Sequence, residues 1–332
     1  MTLLVTGANG FLGRRVVRAA ARAGHEVLAL VRPGATPAAE LVGSGRVEVV
    51  RGDLRADGPW RGAAAAADAV VHLAAATAGD LATQVAGTVR ATEQLLAVID
   101  PSTLDRFVHI SSFSVYDTDA LATRDVLDEH SPLEADPCRR DAYTATKLFQ
   151  ERLVREAFDA DPERLVVLRP GMIFGPGHDW AWGAALTLGT RAALLIAPHA
   201  VMPLVYVDDC ADAVVAALGS SAARGRTIDL VDDDLPTHAE LARLGRRLGG
   251  APGIAVPVPW TIAAGLGRLV GVIDRRWFAG RARLPEMLAS ARLAARWKPL
   301  RYDSTLAHEL LDWSPSVGIH EGARRTASGA AR

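Results

Sequence analysis

The chain of 332 residues predicts an α/β fold, a doubly wound parallel sheet with a smaller, mostly helical C-terminal substrate domain. Three observations carry that expectation. Short apolar runs alternate with helical stretches through the first half. A glycine turn, Gly7-x-x-Gly10-x-x-Gly13, joins the first strand to the first helix. After Gly171 the alternation gives way to a stretch rich in Gly, Pro and Trp.

Leu3–Val5 reads as the first strand, and Val16, Val17 and Ala20 mark one face of the helix that follows. Further strands are predicted at Val27–Val31, Val47–Arg51, Ala69–Leu73, Arg106–Ser111 and Leu165–Arg169, with helices at Gln84–Val98 and Tyr143–Phe158. Right-handed crossovers then put the strand C-termini along one edge. Beyond Gly175–Trp182 a helical stretch is expected to about Ile196, then a strand at Leu204–Val207, a helix at Asp208–Leu218 and a strand at Thr227–Val231. From Pro236 onward the pattern is helical with proline breaks. The expected division is a dinucleotide-binding part over 1–170, resuming at about 204–232, and a substrate part over 171–203 and 233–332. Val258–Ile273 is apolar but broken by Arg268 and glycines. It is too short for a membrane span and reads as a buried or partner-facing helix.

Lys+Arg number 37 against 38 Asp+Glu, so no strong field draws nucleic acid. Two cysteines, Cys138 and Cys210, suggest no disulfide framework and fit a reducing, cytoplasmic compartment. The first strand begins at once, which leaves no room for a leader peptide. No His pair has metal-ligand spacing, so no metal is expected. The expected partner is a small molecule, with neither nucleic acid nor membrane.

The chemistry gathers at the strand ends. A strand, a tight turn and a helix N-terminus make an anion site, to which Gly7, Asn9, Gly10, Phe11, Leu12 and Gly13 belong. Arg32 ends the second strand where an acid would accept a free ribose diol; it suits a 2′-phosphate, or is a solvated loop arginine. Asp53 and Leu54 end the third strand, as adenine contacts or as a turn-capping pair. Ala74 and Ala75 let a cofactor lie against the backbone, and His72 before them reads as a core histidine. Ser112 ends the fifth strand, and Tyr143 stands one helical turn before Lys147. A phenol near pKa 10 needs help to exchange a proton at neutral pH. An adjacent ammonium lowers it, and Ser112 holds the same substrate oxygen. Trp180, Trp182, Trp260 and Trp277 either shape an apolar pocket or pack a core.

Together these pieces resemble the extended short-chain dehydrogenases/reductases, in the NAD(P)-dependent epimerase/dehydratase superfamily that includes 3β-hydroxysteroid-dehydrogenase-like enzymes. The resemblance is carried by Thr6–Gly13, Gly52–Leu54, His72–Ala75, Ser111-Ser112, Tyr143–Lys147, Leu168–Gly177, Val205–Ala213 and Leu310–Pro315. It implies a Rossmann-type nicotinamide site with Pro170 beside it, and a Ser112/Tyr143/Lys147 triad. It also implies substrate contacts at Phe113, Met172, His178 and Trp180, and a homodimer packed through helices that include Tyr143–Phe158. The family often shows Asn-Val-x-Gly-Thr after the fourth strand, and the matching stretch is read as Thr88–Thr92. Ser112-Phe113-Ser114 lacks the acid and base of sugar-nucleotide dehydratases. Pro170-Gly171 and Met202–Leu204 lack residues that nucleotide-sugar enzymes tend to carry. The expected activity is hydride transfer between NADP, with NAD possible, and a carbonyl or secondary alcohol of a hydrophobic small molecule. The alternatives are an NAD-dependent sugar-nucleotide epimerase and a non-catalytic NADP-binding sensor.

Overall fold

Seven parallel strands make the central sheet of the computed structural model, which describes residues 1–43, 45–137, 140–178, 185–188, 192–248, 254–277 and 290–330. They are β1 (Thr2–Thr6), β2 (Glu26–Val31), β3 (Val47–Arg51), β4 (Ala69–His72), β5 (Arg106–Ile110), β6 (Leu165–Pro170) and β7 (Thr227–Leu230). Their order is β7-β6-β5-β4-β1-β2-β3, and every neighbouring pair is parallel. The strands are nearly all apolar because both faces are covered. Leu3, Val5 and Val71 enter one core layer, and Leu4, Val70 and Phe107 the other. Strand order reverses between β1 and β4, which opens a crevice outside their carboxyl ends.

Four helices matter for the site and its surroundings: α1 (Gly13–Arg22), α2 (Ala142–Ala157), α3 (Val207–Gly219) and α4 (Trp260–Trp277). Asp141 caps α2 by accepting from the Thr144 N–H at 2.8 Å, the usual remedy for an orphaned first-turn donor. The predicted helix at Gln84–Val98 is one helix over 81–96, capped by Asp80, whose middle part, Val85–Arg90, has π geometry.

Three expectations about the second half are corrected. Ala185–Leu188 and Ala192–Ile196 form an antiparallel strand pair, not a helix, and Ile254–Val258 adds a parallel third strand within the supposedly helical tail. These runs lack a polar face that would set a helical period, and the last partner lies some sixty residues away, beyond any local pattern. Leu204–Tyr206 is a strand, but it pairs with Met172–Phe174 outside the large sheet. Of the two readings of Val258–Ile273, buried or partner-facing, helix α4 contradicts the buried one. It buries Ala263, while Ile262, Leu266, Leu269, Val272 and Ile273 face outward.

The tryptophans divide. Trp260 packs against Ile196, Leu293 and Trp297. It also lines a cavity of about 200 Å³. Trp277 is 79% exposed. Trp180, Trp182 and Cys138 lie outside the described residues. Among the described residues no helix is long and apolar enough to cross a membrane.

Candidate active site

The glycine turn sits at the head of the crevice, and its glycines answer to geometry. Gly7 has φ +67°, a left-handed conformation that side chains resist, and a Cβ there would press on the Ala74 N–H at 3.0 Å. A Cβ on Gly13 would strike the Gly7 carbonyl, so the start of α1 packs directly on the turn. A Cβ on Gly10 would come within 3.0 Å of that same carbonyl. The result is a cradle of bare backbone at a helix N-terminus. It fits a dinucleotide pyrophosphate.

Its neighbours take several predicted residues. Asn9 spans from the turn to the loop after β2, donating to the Thr36 carbonyl at 3.0 Å and accepting from the Ala38 N–H at 2.7 Å. Phe11 carries the His178 ring on its own, centroids 5.0 Å apart, which sets His178 against the glycine turn. Arg32 is exposed at the end of β2. Arg51 braces the same loop by donating to the Ala35 carbonyl at 2.5 Å. Asp53 turns back on Arg55, accepting from its N–H at 2.9 Å and from its guanidinium at 2.6 Å. The guanidinium hydrogen bond holds the Asp53 carboxyl below its ordinary range. Leu54 is buried in the core with Val50 and Trp60.

At the ends of β4 and β5 the proposed reacting groups meet. Ser112 and Tyr143 are both half-buried, and the Ser112 hydroxyl acts on the Tyr143 phenol by lowering its pKa. Lys147 is buried on the same face of α2 and donates to the Ile110 carbonyl at 2.6 Å and to Oε1 of Gln150 at 2.5 Å. Burial raises the Tyr143 phenol above its ordinary value, against a smaller lowering by Ser112. Desolvation is the leading cause, and the nearby Asp141 carboxylate adds to it. The Lys147 ammonium itself is pulled down to about 7 by burial. His72 is, as expected, a core histidine, held neutral at about 3 and bonded to Thr6 and Thr92 at 2.8 Å each.

The helix over 81–96 approaches the Ala74–Ala76 strip closely. A Cβ on Gly87 would already be 2.9 Å from the Ala76 Cβ, and the Thr88 hydroxyl accepts from the Ala76 N–H at 2.9 Å. The pattern expected at Thr88–Thr92 therefore falls at Gln84-Val85-Ala86-Gly87-Thr88, with Gln84 in the Asn position. A glycine and a hydroxyl are needed where helix and strip touch, and only this register supplies both.

Behind the site lies an ionic cluster that the sequence argument missed. Glu151 accepts from Arg169 at 2.5 Å, Arg155 at 2.8 Å and the Ser111 hydroxyl at 2.5 Å. Arg169 also donates to the Tyr116 hydroxyl at 3.0 Å, which donates to Asp229 at 2.7 Å. The available signal was a charge inside an otherwise apolar strand, as at Arg169 and Asp229. Phe113 packs on Tyr116 and Tyr302 with centroids 5.7 and 5.9 Å apart. Met172 opens the short strand beside Leu204, and Pro170 ends β6, buried. Trp180 lies outside the described residues. Among the described residues no cluster of three His, Cys, Asp or Glu could hold a metal.

Comparison with known proteins bears on this geometry. A family model described as the NAD dependent epimerase/dehydratase family matches residues 3–230. A 2-alkyl-3-oxoalkanoate reductase of Stenotrophomonas maltophilia is 26% identical, covering 98% of each chain. A 3-diazoavenalumate denitrifying reductase of a Streptomyces species is 30% identical over 90% of this chain and 96% of its own. In structure, the UDP-glucuronic acid 4-epimerase of Bacillus cereus in complex with NAD superposes with a TM-score of 0.73 at 20% identity, covering 100% and 99% of the two chains.

Proposed function

Because this chain belongs to the NAD dependent epimerase/dehydratase family and is an NAD(P)-dependent oxidoreductase of the extended short-chain type, we propose that it is an NADPH-preferring ketoreductase acting on a hydrophobic small molecule. The observation that carries the proposal is the placement of half-buried Ser112 and Tyr143 with the buried Lys147, whose ammonium is held against the end of β5 by the Ile110 carbonyl. When bound, the nicotinamide supplies or accepts the hydride. Tyr143 gives a proton to the carbonyl oxygen, or takes one from the hydroxyl. Ser112 donates to the same oxygen and fixes its position. Lys147 orients the nicotinamide ribose, and its charge, with that of an oxidised nicotinamide, works against the burial that raises the phenol.

The preference for NADPH rests on the β2 end. Arg32 is exposed there, and the nearest strand-end acid, Asp53, is already engaged by Arg55. A ribose diol finds no free carboxylate, whereas a 2′-phosphate finds a guanidinium. The ketone assignment is supported by the oxoalkanoate reductase likeness along the full chain. A homodimer through α2 and the helix over 81–96 belongs to the same proposal, and half-exposed Phe149 and Leu81 on those helices suit it.

The test is to incubate the protein with NADPH and apolar ketones, including 3-oxoacids, and follow the reduced nicotinamide. Consumption in proportion to ketone is expected. Interconversion of a nucleotide sugar with no net cofactor consumption would replace the proposal with an epimerase.

A further inference from the structure

The Lys147 ammonium is held by a chain of hydrogen bonds with a definite direction. Gln150, wholly buried, receives one of its protons at Oε1. Gln150 Nε2 faces the Ala74 carbonyl at 3.0 Å and the Thr92 hydroxyl at 2.9 Å. A carbonyl only accepts, so the amide nitrogen must face Ala74 and the oxygen is left for Lys147. The Thr92 hydroxyl donates to the Thr88 carbonyl at 2.7 Å. It therefore accepts from both Gln150 and the His72 Nε2–H at 2.8 Å. Those two nitrogens, 3.1 Å apart, donate past each other to the same oxygen. His72 Nδ1 is then an acceptor for the Thr6 hydroxyl at 2.8 Å, and Thr6 accepts from the Ala74 N–H at 3.2 Å. The chain closes on Ala74, which is gripped at both its carbonyl and its N–H.

We propose that Gln150 is a positioning residue, which fixes the direction of the Lys147 ammonium and ties it to the Ala74 backbone. Two of the three ammonium protons are committed, to Ile110 and Gln150. The third is the one that a nicotinamide ribose would receive. Its consequence for turnover rests on the ketoreductase reading; the arrangement of Lys147 does not. The charged and titratable groups around Lys147 are few. Glu151, one turn on, is committed to Arg169, Arg155 and Ser111. His72 on β4 and His109 on β5 are both held neutral by burial. Tyr143 stands one turn before. Gln150 is the side-chain acceptor of the ammonium, so its replacement acts on Lys147 directly.

Lys147 and Lys298 are the only lysines in the chain. Isotope-labelled lysine therefore gives two side-chain NMR signals, assigned with Lys298→Arg, and Lys147 can be titrated with neither cofactor nor substrate. Gln150→Leu should lower its titration midpoint by about one pH unit, because the ammonium stays buried and loses an acceptor. Gln150→Glu should raise it by at least as much, and keeps the side-chain shape should the leucine variant not fold. In turnover with NADPH, Gln150→Leu should cost about tenfold in kcat and move the alkaline limb of the pH profile down with the midpoint. A midpoint unchanged in both variants overturns the proposal. Shifted midpoints in a protein that reduces no ketone uphold Gln150 and remove the ketoreductase reading instead.

Discussion

Tyr143 and Glu151 stand on the same helix, two turns apart, in opposite kinds of polar environment. Tyr143 and Ser112 are half-buried, with no ionic partner fixing either hydroxyl among the described residues. Around Glu151 the side chains of Arg169, Tyr116 and Asp229 are buried and bonded to one another and to the carboxylate, and Arg155 alone of its partners reaches the surface. The open set can do chemistry because it is incomplete. The closed set joins α2 to β6 and β7, and through Ser111 to the end of β5, so it holds the incomplete set in place. A substitution in the closed cluster should therefore be felt in stability, and one in the open pair in rate.

The largest expected effect is at Arg169. Arg169→Leu leaves Glu151 and Asp229 buried without that guanidinium, and breaking a buried pair from one side costs about 3–5 kcal/mol. Denaturant unfolding should show that loss. A loss below about 1 kcal/mol would mean that the cluster is not what holds the edge together.

Tyr143→Phe should do the reverse. The ring still packs, so unfolding and NADPH binding should stay near the unsubstituted values, while turnover falls by roughly a hundredfold or more, the scale of a lost general acid. Undiminished turnover of a true substrate would remove Tyr143 from the mechanism.

Acid should tell the two sets apart more gently. Burial pushes the Glu151 carboxyl up, but Arg169, Arg155 and Ser111 outweigh it and hold it at about 2, below its ordinary 4.5. A depressed carboxyl adds stability that is full above its unfolded value and disappears as pH falls through the folded one. The stability gap between the natural chain and Glu151→Gln should thus narrow steadily from about pH 4.5 to about pH 2. A gap of constant size across that window would contradict the pairing.

The smallest effect belongs to a residue in neither set. Arg32→Asp, at an exposed strand end, should leave unfolding unchanged and cut the preference for NADPH over NADH by about tenfold or reverse it, as titration calorimetry would read. Tighter NADH binding before any substitution would end the NADP assignment.

The seven strands of the sheet were legible because each is a short, largely apolar run, most of them closed by a glycine, a proline or a small-residue stretch, and because both faces of the inner strands are buried. Gly7, Gly10, Gly13, Ser112, Tyr143 and Lys147 were legible because local spacing carries their geometry. Gln150 and Glu151 were not, although they sit three and four residues past Lys147. A polar residue on a helix looks solvated until the opposing Ala74, Thr92 and Arg169 are known, and those come from distant strands and another helix. The strands at 185–196 and 254–258 escaped for the same reason, since their pairing joins segments that share no local pattern. Gln84–Thr88 was missed differently: the motif was present in another register, and only the contact with Ala76 selects it.

Asn9 carries a consequence of its own. With one amide it stitches the phosphate turn to the loop that bears Arg32. The turn and the loop are therefore tied together, and under the proposed cofactor placement recognition of the pyrophosphate would be coupled to recognition of whatever occupies the ribose end. Changes at Arg32 and Asn9 should accordingly be non-additive, as for any residues that share one loop. For an engineer, cofactor choice in this scaffold is not a residue to be swapped but a module to be transplanted whole, turn and loop together, with the amide that rivets them.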